Sequence, residues 1–136
     1  MSEPIKPPTC ACDAAPTLIF ACSGAADVGR LADVAARELT ASGVGKMFCL
    51  AGIGGRVSGI LESTRAARAI LALDGCPLDC AKKTLENAGF TEFAFVRLSD
   101  LGLVKGKTAV TEVTIAQVVG AGKACLAAAL SEGESQ

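Results

Sequence analysis

The stretch Ala69-Ile70-Leu71-Ala72-Leu73-Asp74-Gly75-Cys76-Pro77-Leu78-Asp79-Cys80 decides the fold. Five consecutive apolar residues closed by Asp-Gly read as a short strand buried on both faces. The residues that follow predict a helix over 77–88, with proline in its first turn and Gly89 just past its end. Strand, tight turn and helix in that order form half of a βαβ unit. The turn also carries two thiols, one at the strand's end and one at i+4, whose Cβ atoms on a helix lie about 5–6 Å apart. Two sulfurs at that separation can flank one ion. The helix's apolar stripe is Leu78, Ala81, Leu85 and Ala88, and Cys76 and Cys80 both project away from it, so neither sits where packing alone would put a residue.

The same alternation extends in both directions. Residues 17–22 and 46–53 read as strands that run into Ser23-Gly24 and Gly54-Gly55, and residues 92–98 as a fourth strand. Helical periodicity appears over 27–41, through Val28, Leu31, Ala35 and Leu39, over 57–67, and over 111–130. Four strands alternating with four helices predict a small doubly wound three-layer α/β/α domain. Its sheet is mainly parallel, four-stranded and in the order 2-1-3-4, as in Rossmann-like and flavodoxin-like folds. Residues 1–16, with three prolines before position 10, read as an extended arm, and 17–136 as one domain.

At 136 residues the chain is long enough to bury one core, and with 51% apolar residues, no Trp or Tyr and 5 Phe that core is aliphatic and alanine-rich. A net charge of −1, from 13 basic and 14 acidic residues without a basic cluster, gives no electrostatic support to nucleic-acid or anionic-membrane binding. The N-terminus lacks the layout of a signal peptide, and no apolar run approaches the roughly 20 residues of a membrane span, so a cytoplasmic protein is expected. Seven cysteines without a single histidine are many for a reducing compartment, where clustered thiols bind metal or do redox work. Histidine-based acid–base catalysis is excluded.

In an open α/β sheet ligands sit at the carboxyl ends of the strands, above all where the strand order reverses. Cys22 ends strand one and Cys76 follows strand three, so the order 2-1-3-4 brings them face to face, with Cys80 on the adjoining helix. Cys49 falls within strand two, about four residues short of its end. Packing as a small hydrophobe is the alternative for each of these thiols and the better reading of Cys125, beside the stripe of the last helix. Cys10-Ala11-Cys12 either folds over the site or stays an exposed pair. The loops 22–29 and 52–55 are glycine-rich enough to cradle an anion or to serve as plain tight turns, and neither has the lysine of a phosphate-binding loop.

Taken together, Cys22-Ser23-Gly24, Leu50-Ala51-Gly52-Ile53-Gly54, Asp74-Gly75-Cys76 with Cys80-Ala81-Lys82-Lys83-Thr84-Leu85, and Asp100-Leu101-Gly102 followed by Lys105 resemble the DGC-domain family. The family is named for its Asp-Gly-Cys, and its members are proposed to bind zinc. The resemblance runs from Thr17 to the C-terminus and leaves the arm unmatched. It implies four chelating cysteines, which fall here on Cys22, Cys76, Cys80 and Cys49, and it implies no established enzymatic activity.

The leading expectation is therefore a zinc ion held by thiolates at the carboxyl edge of the sheet, in metal or thiol handling, with a metal ion and a small anionic or thiol ligand as partners. A thiol redox enzyme would instead use Cys22 as a low-pKa nucleophile resolved by Cys76 or Cys80. An iron–sulfur carrier needs four cysteines too, although the ferredoxin spacing is missing. Asp74, Asp79, Arg97, Asp100 and Lys105 are further candidates to line the cleft, with Asp74 expected to accept backbone hydrogen bonds in its turn. Lys82 and Lys83 are expected on a solvated helix face.

Overall fold

The computed structural model describes residues 15–134. Its elements are β1 (Thr17–Ala21), α1 (Asp27–Ala41), β2 (Lys46–Met47), α2 (Leu50–Gly54), α3 (Ser58–Arg65), β3 (Ala69–Asp74), α4 (Cys80–Asn87), β4 (Ala94–Arg97), a 3-10 turn (Leu98–Leu101) and α5 (Glu112–Glu134). The sheet runs β2-β1-β3-β4 and every pairing is parallel, as the sequence predicts, with Leu18 opposite both Lys46 and Ile70 and Leu71 opposite Ala94.

Alternation along the two central strands sorts the core. Ile19, Ala21, Leu71 and Leu73 point to one face, where Leu31, Ala35 and Leu39 of α1 and Val118 and Leu126 of α5 cover them. Leu18, Phe20, Ile70 and Ala72 point to the other, against Ile53, Ala81 and Leu85 of α2 and α4. Aliphatic residues buried on both faces are what a parallel sheet between two helical layers demands. Gly122 lets α5 approach closely, since a methyl group there would stand 3.2 Å from Leu71 and 3.3 Å from Leu39.

Two predicted elements are corrected. The run 46–53 is a strand only over Lys46–Met47; after Cys49 the chain turns into α2, whose Gly52 and Ile53 N–H groups donate to the Cys49 carbonyl at 3.1 and 3.4 Å. An apolar run this short fits a buried strand and a buried helical turn equally well. Ile53 is fully buried by the helical turn. The helix expected over 77–88 starts only at Cys80. Residues 76–79 form a turn, closed by Asp79 N–H to the Cys76 carbonyl at 3.2 Å with Pro77 in its second place. Asp79 then takes a left-handed conformation, φ 56°, which no α-helix accommodates.

The helix phase shifts accordingly. Leu78 is 61% exposed instead of lying on the stripe, whereas Leu85 is fully buried. Leu78→Ser is expected to change stability by less than about 0.5 kcal/mol, and Leu85→Ala to cost about 2–5 kcal/mol, both readable in urea unfolding. By length and composition α5 is also long enough and apolar enough to cross a membrane, against the expectation that no run comes close. Here it is a layer of the fold, with Val118, Gly122 and Leu126 turned inward. Cys10, Cys12 and the first fourteen residues of the expected arm lie outside the described residues.

Candidate metal centre at the carboxyl edge

Cys22 is the first residue beyond β1, and its N–H prolongs the β1–β3 ladder by donating to the Leu73 carbonyl at 3.1 Å. That bond fixes the thiol beside the end of β3. The side chain is half-buried and touches both halves of the core. Burial pushes its pKa up; the backbone N–H groups of Gly24 and Gly75 partly oppose this, and the neighbouring Asp74 and Cys80 add to it. Cys22 in the metal-free chain is thus a protected thiol, unlike the low-pKa nucleophile that a redox reading expects.

The two loops around Cys22 interlock backbone to backbone. A Cβ on Gly75 would lie 2.8 Å from the Val28 carbonyl carbon, and one on Gly29 would lie 2.6 Å from the Gly24 oxygen. These glycines serve close approach, not an anion cradle. Between them Ser23 adopts a left-handed φ of 52°. Its hydroxyl donates to Asp33 at 2.7 Å, and the Asp33 carboxylate accepts from Arg37 Nε at 2.5 Å, tying the loop to α1. The Arg37 guanidinium holds the Asp33 carboxyl below its ordinary range.

A cavity of about 890 Å³ opens beside Cys22, and its walls include Ser23, Asp33, Arg37, Lys46, Cys49 and Thr84. Cys49 caps α2 and is exposed. Instead of sitting deep in a strand, it stands at the carboxyl edge. Cys80, also exposed, is the first residue of α4, and its carbonyl accepts the Thr84 hydroxyl at 2.6 Å. Residues four apart share a helix face, so Cys80 stands one turn above the Thr84 wall of the cavity. Cys76, in the turn, is half-buried and packs on the α1 side of the core. The helical phase by which Cys76 is expected to project to the same side as Cys80 is broken between them, where Asp79 is left-handed and α4 starts only at Cys80.

The charged candidates have other partners. Asp74 is buried and caps α4, accepting the N–H groups of Ala81 and Lys82 at 2.8 and 2.9 Å; burial raises its pKa all the same. Arg97 holds Asp79 through two bonds, 2.7 and 2.5 Å, and Asp100 through one of 3.2 Å. Lys82 and Arg97 both lie over the Phe95 ring, 5.2 and 5.3 Å from its centre. Asp27 pins the loop after the 3-10 turn through the N–H groups of Gly106 and Thr108, at 2.9 and 3.1 Å, and Lys105 is exposed in that loop. Sequence reasoning missed Asp33, Arg37, Lys46 and Thr84. The i,i+4 spacing of Asp33 and Arg37 signals an ion pair, but nothing in it shows that Ser23 joins them.

Hydrogen bonds hold the pKa values of Asp27, Asp33 and Asp79 below their ordinary range. Their contribution to stability is complete above the unfolded carboxylate value of about 3.9. It is lost as the pH falls through their lower folded values. Asp74, with its raised value, acts with the opposite sign: its ionisation costs stability as the pH rises through its folded value. Through Asp27, Asp33 and Asp79 the metal-free chain is expected to lose stability in acid below about pH 4. Asp79→Asn should make that loss shallower in a circular-dichroism titration.

Among the described residues no three Cys, Asp, Glu or His side chains already stand close enough to hold an ion. The donor chemistry nevertheless suits a soft metal: a half-buried sulfur at Cys22 and exposed thiols at Cys49 and Cys80.

A sequence profile of the DGC domain matches residues 18–121, more than half of the chain. The chain belongs to the DGC domain family. The match takes in Cys22, Cys49, Cys76 and Cys80 and leaves out Cys10, Cys12 and Cys125. The chain is 41% identical over 88 residues to the anaerobic and virulence modulator AnvM of Pseudomonas aeruginosa, covering 65% of this chain and 67% of that protein. No solved structure matches the chain. Each residue of the Asp-Gly-Cys in this DGC domain has its own place in the edge. Asp74 caps α4, Gly75 admits the neighbouring loop, and Cys76 opens the turn.

Proposed function

We propose that this DGC domain binds zinc through cysteine thiolates centred on Cys22, with Cys49 and Cys80 as further ligands. The observation that carries this reading is the placement of Cys22, half-buried just beyond β1 where its N–H donates to the Leu73 carbonyl, in the wall of a cavity it shares with Cys49. The backbone N–H groups of Gly24 and Gly75 favour its thiolate form. Zinc, when bound, supplies the positive charge that makes the thiolate form of all three cysteines favourable. Because burial keeps Cys22 protonated otherwise, uptake of the ion releases a proton and tightens as the pH rises. The raised Cys22 value speaks against the metal-free redox enzyme, and the cysteine spacing against an iron–sulfur carrier.

A thiol-rich site without histidine suits the reducing cytoplasm, which we take as its compartment. The relative's name calls it an anaerobic and virulence modulator; a centre whose metal occupancy follows the state of its thiols would serve such a role. The test is metal analysis of the full chain, loaded with excess zinc under reducing conditions and then desalted. We expect about one zinc per chain, and Cys49→Ser and Cys80→Ser each to weaken binding by at least tenfold. A wild-type chain that retains no zinc ends the proposal, as do variants that bind as tightly as the parent.

A further inference from the structure

We propose that the cavity beside Cys22 binds a small apolar monocarboxylate, its carboxylate on the outer nitrogens of Arg37 and its hydrocarbon against Phe48 and Leu50. This goes beyond the zinc reading and needs no metal. It starts from Ser23, held at a left-handed φ of 52° where the chain leaves β1. Such backbone is unfavourable for a residue with a Cβ, and it collects at ligand sites. What the strained turn achieves is visible in its hydrogen bonds. The Ser23 hydroxyl donates to Asp33 Oδ2 at 2.7 Å, and Asp33 Oδ1 accepts Arg37 Nε at 2.5 Å. All three residues stand in the cavity wall, so the row they form ends there on a guanidinium. With Nε engaged and the side chain 69% exposed, the two outer nitrogens of Arg37 keep donors to offer. Their planar fork matches the two oxygens of a carboxylate.

The rest of the ligand follows from the two faces of the sheet. Asp33 and Arg37 belong to α1, which covers the face of Ile19. Phe48 and Leu50 pack on the opposite face, with Phe20 and Ile53. Cys22 touches both halves of the core, so the cavity passes round the end of β2 from one face to the other. A ligand that fills it is charged on the α1 side and apolar beyond. The volume of about 890 Å³ falls in the range of small-molecule sites, roughly 300–1,000 Å³, which combine apolar walls with a few placed polar groups. Charge decides against a phosphate dianion. Asp33, Arg37 and Lys46 are the charged residues of the wall and leave one net positive charge. Lys46, registered with Leu18, belongs to the face away from α1 and adds only longer-range attraction. A monoanion matches that balance, whereas a dianion exceeds it and meets the Asp33 carboxylate.

The test is calorimetric titration of the full chain with octanoate, 1-octanol and acetate, in EDTA and again after zinc loading. Octanoate and octanol share a chain and differ in the carboxylate, and acetate keeps the carboxylate alone. In EDTA we expect octanoate to bind about tenfold more tightly than octanol, the gain of one charge-assisted contact. Burial of its methylenes should place it at least about a hundredfold above acetate. Arg37→Gln should bring octanoate and octanol close to parity. Arg30→Gln, on the same helix and outside the cavity wall, should preserve the difference. Ser23→Gly should keep the fold and weaken octanoate several-fold with octanol unchanged, and equal octanoate binding by that variant would overturn the role given to the strained turn. Equal affinities of the wild-type chain for octanoate and octanol overturn the proposal, as does an Arg37→Gln chain that keeps the preference. Octanoate that binds only after zinc loading is held by the metal, which overturns this proposal and leaves the zinc reading standing. A chain that takes up no zinc and still prefers octanoate ends the zinc reading alone.

Discussion

Cys22→Ser is expected to leave the full chain without bound zinc where the wild-type chain retains one ion. The substitution exchanges one small side chain for another of nearly the same shape. Fold stability in zinc-free buffer should therefore stay within about 1 kcal/mol of the parent. What disappears is the sulfur on which the proposed zinc centre is built. A hydroxyl does not ionise near neutral pH, whereas a thiol yields its proton to a metal. Cys125→Ser is the matched control, because that thiol sits on α5 with its sulfur 3.5 Å from the Phe95 carbonyl oxygen, away from the cavity. Metal analysis and circular dichroism on the two variants separate loss of the ion from loss of the fold.

The second large effect is on the fold itself. Gly75→Ala is expected to destabilise the chain by about 3 kcal/mol, the upper part of the range for overpacking. The new methyl group would meet the Val28 carbonyl carbon at 2.8 Å and its oxygen at 2.9 Å. Both belong to the backbone of α1 and cannot rotate aside. The β1–α1 loop would have to move, and Cys22 with it, so zinc affinity should fall together with stability. Gly120→Ala provides the contrast. Nothing lies within 4 Å of a Cβ at that position in α5, so alanine should stabilise by up to about 1 kcal/mol. Urea midpoints of the three proteins give the comparison, and a Gly75→Ala chain as stable as the parent would show that the loops do not interlock.

Much of this is legible in the residues. The strand order follows from alternating apolar runs and right-handed crossovers, and α1 begins and ends where its periodicity does, at Asp27 and Ala41. A long amphipathic helix repeats its signal over several turns, which is why it reads cleanly. The run through Cys49 does not, because the seven apolar and small residues from Met47 to Ile53 fit a strand and a short helix alike. That ambiguity puts Cys49 deep in the sheet instead of at its edge. The start of α4 misleads for another reason. Proline after a strand fits the first turn of a helix and the second place of a β-turn equally well, and here the helix is capped from six residues upstream, by Asp74. Helical phase therefore does not pair Cys76 with Cys80, since Cys76 opens the turn and Cys80 opens α4. The chain from Ser23 through Asp33 to Arg37 joins residues whose proximity only the folded loop creates.

The most direct measurement is anomalous scattering at the zinc edge from a crystal of the zinc-loaded chain. A thiolate centre on Cys22 predicts one strong peak at the carboxyl edge of the sheet, about 2.3 Å from the sulfurs of Cys22, Cys49 and Cys80. A peak bonded to other residues, or none within reach of Cys22, would contradict it.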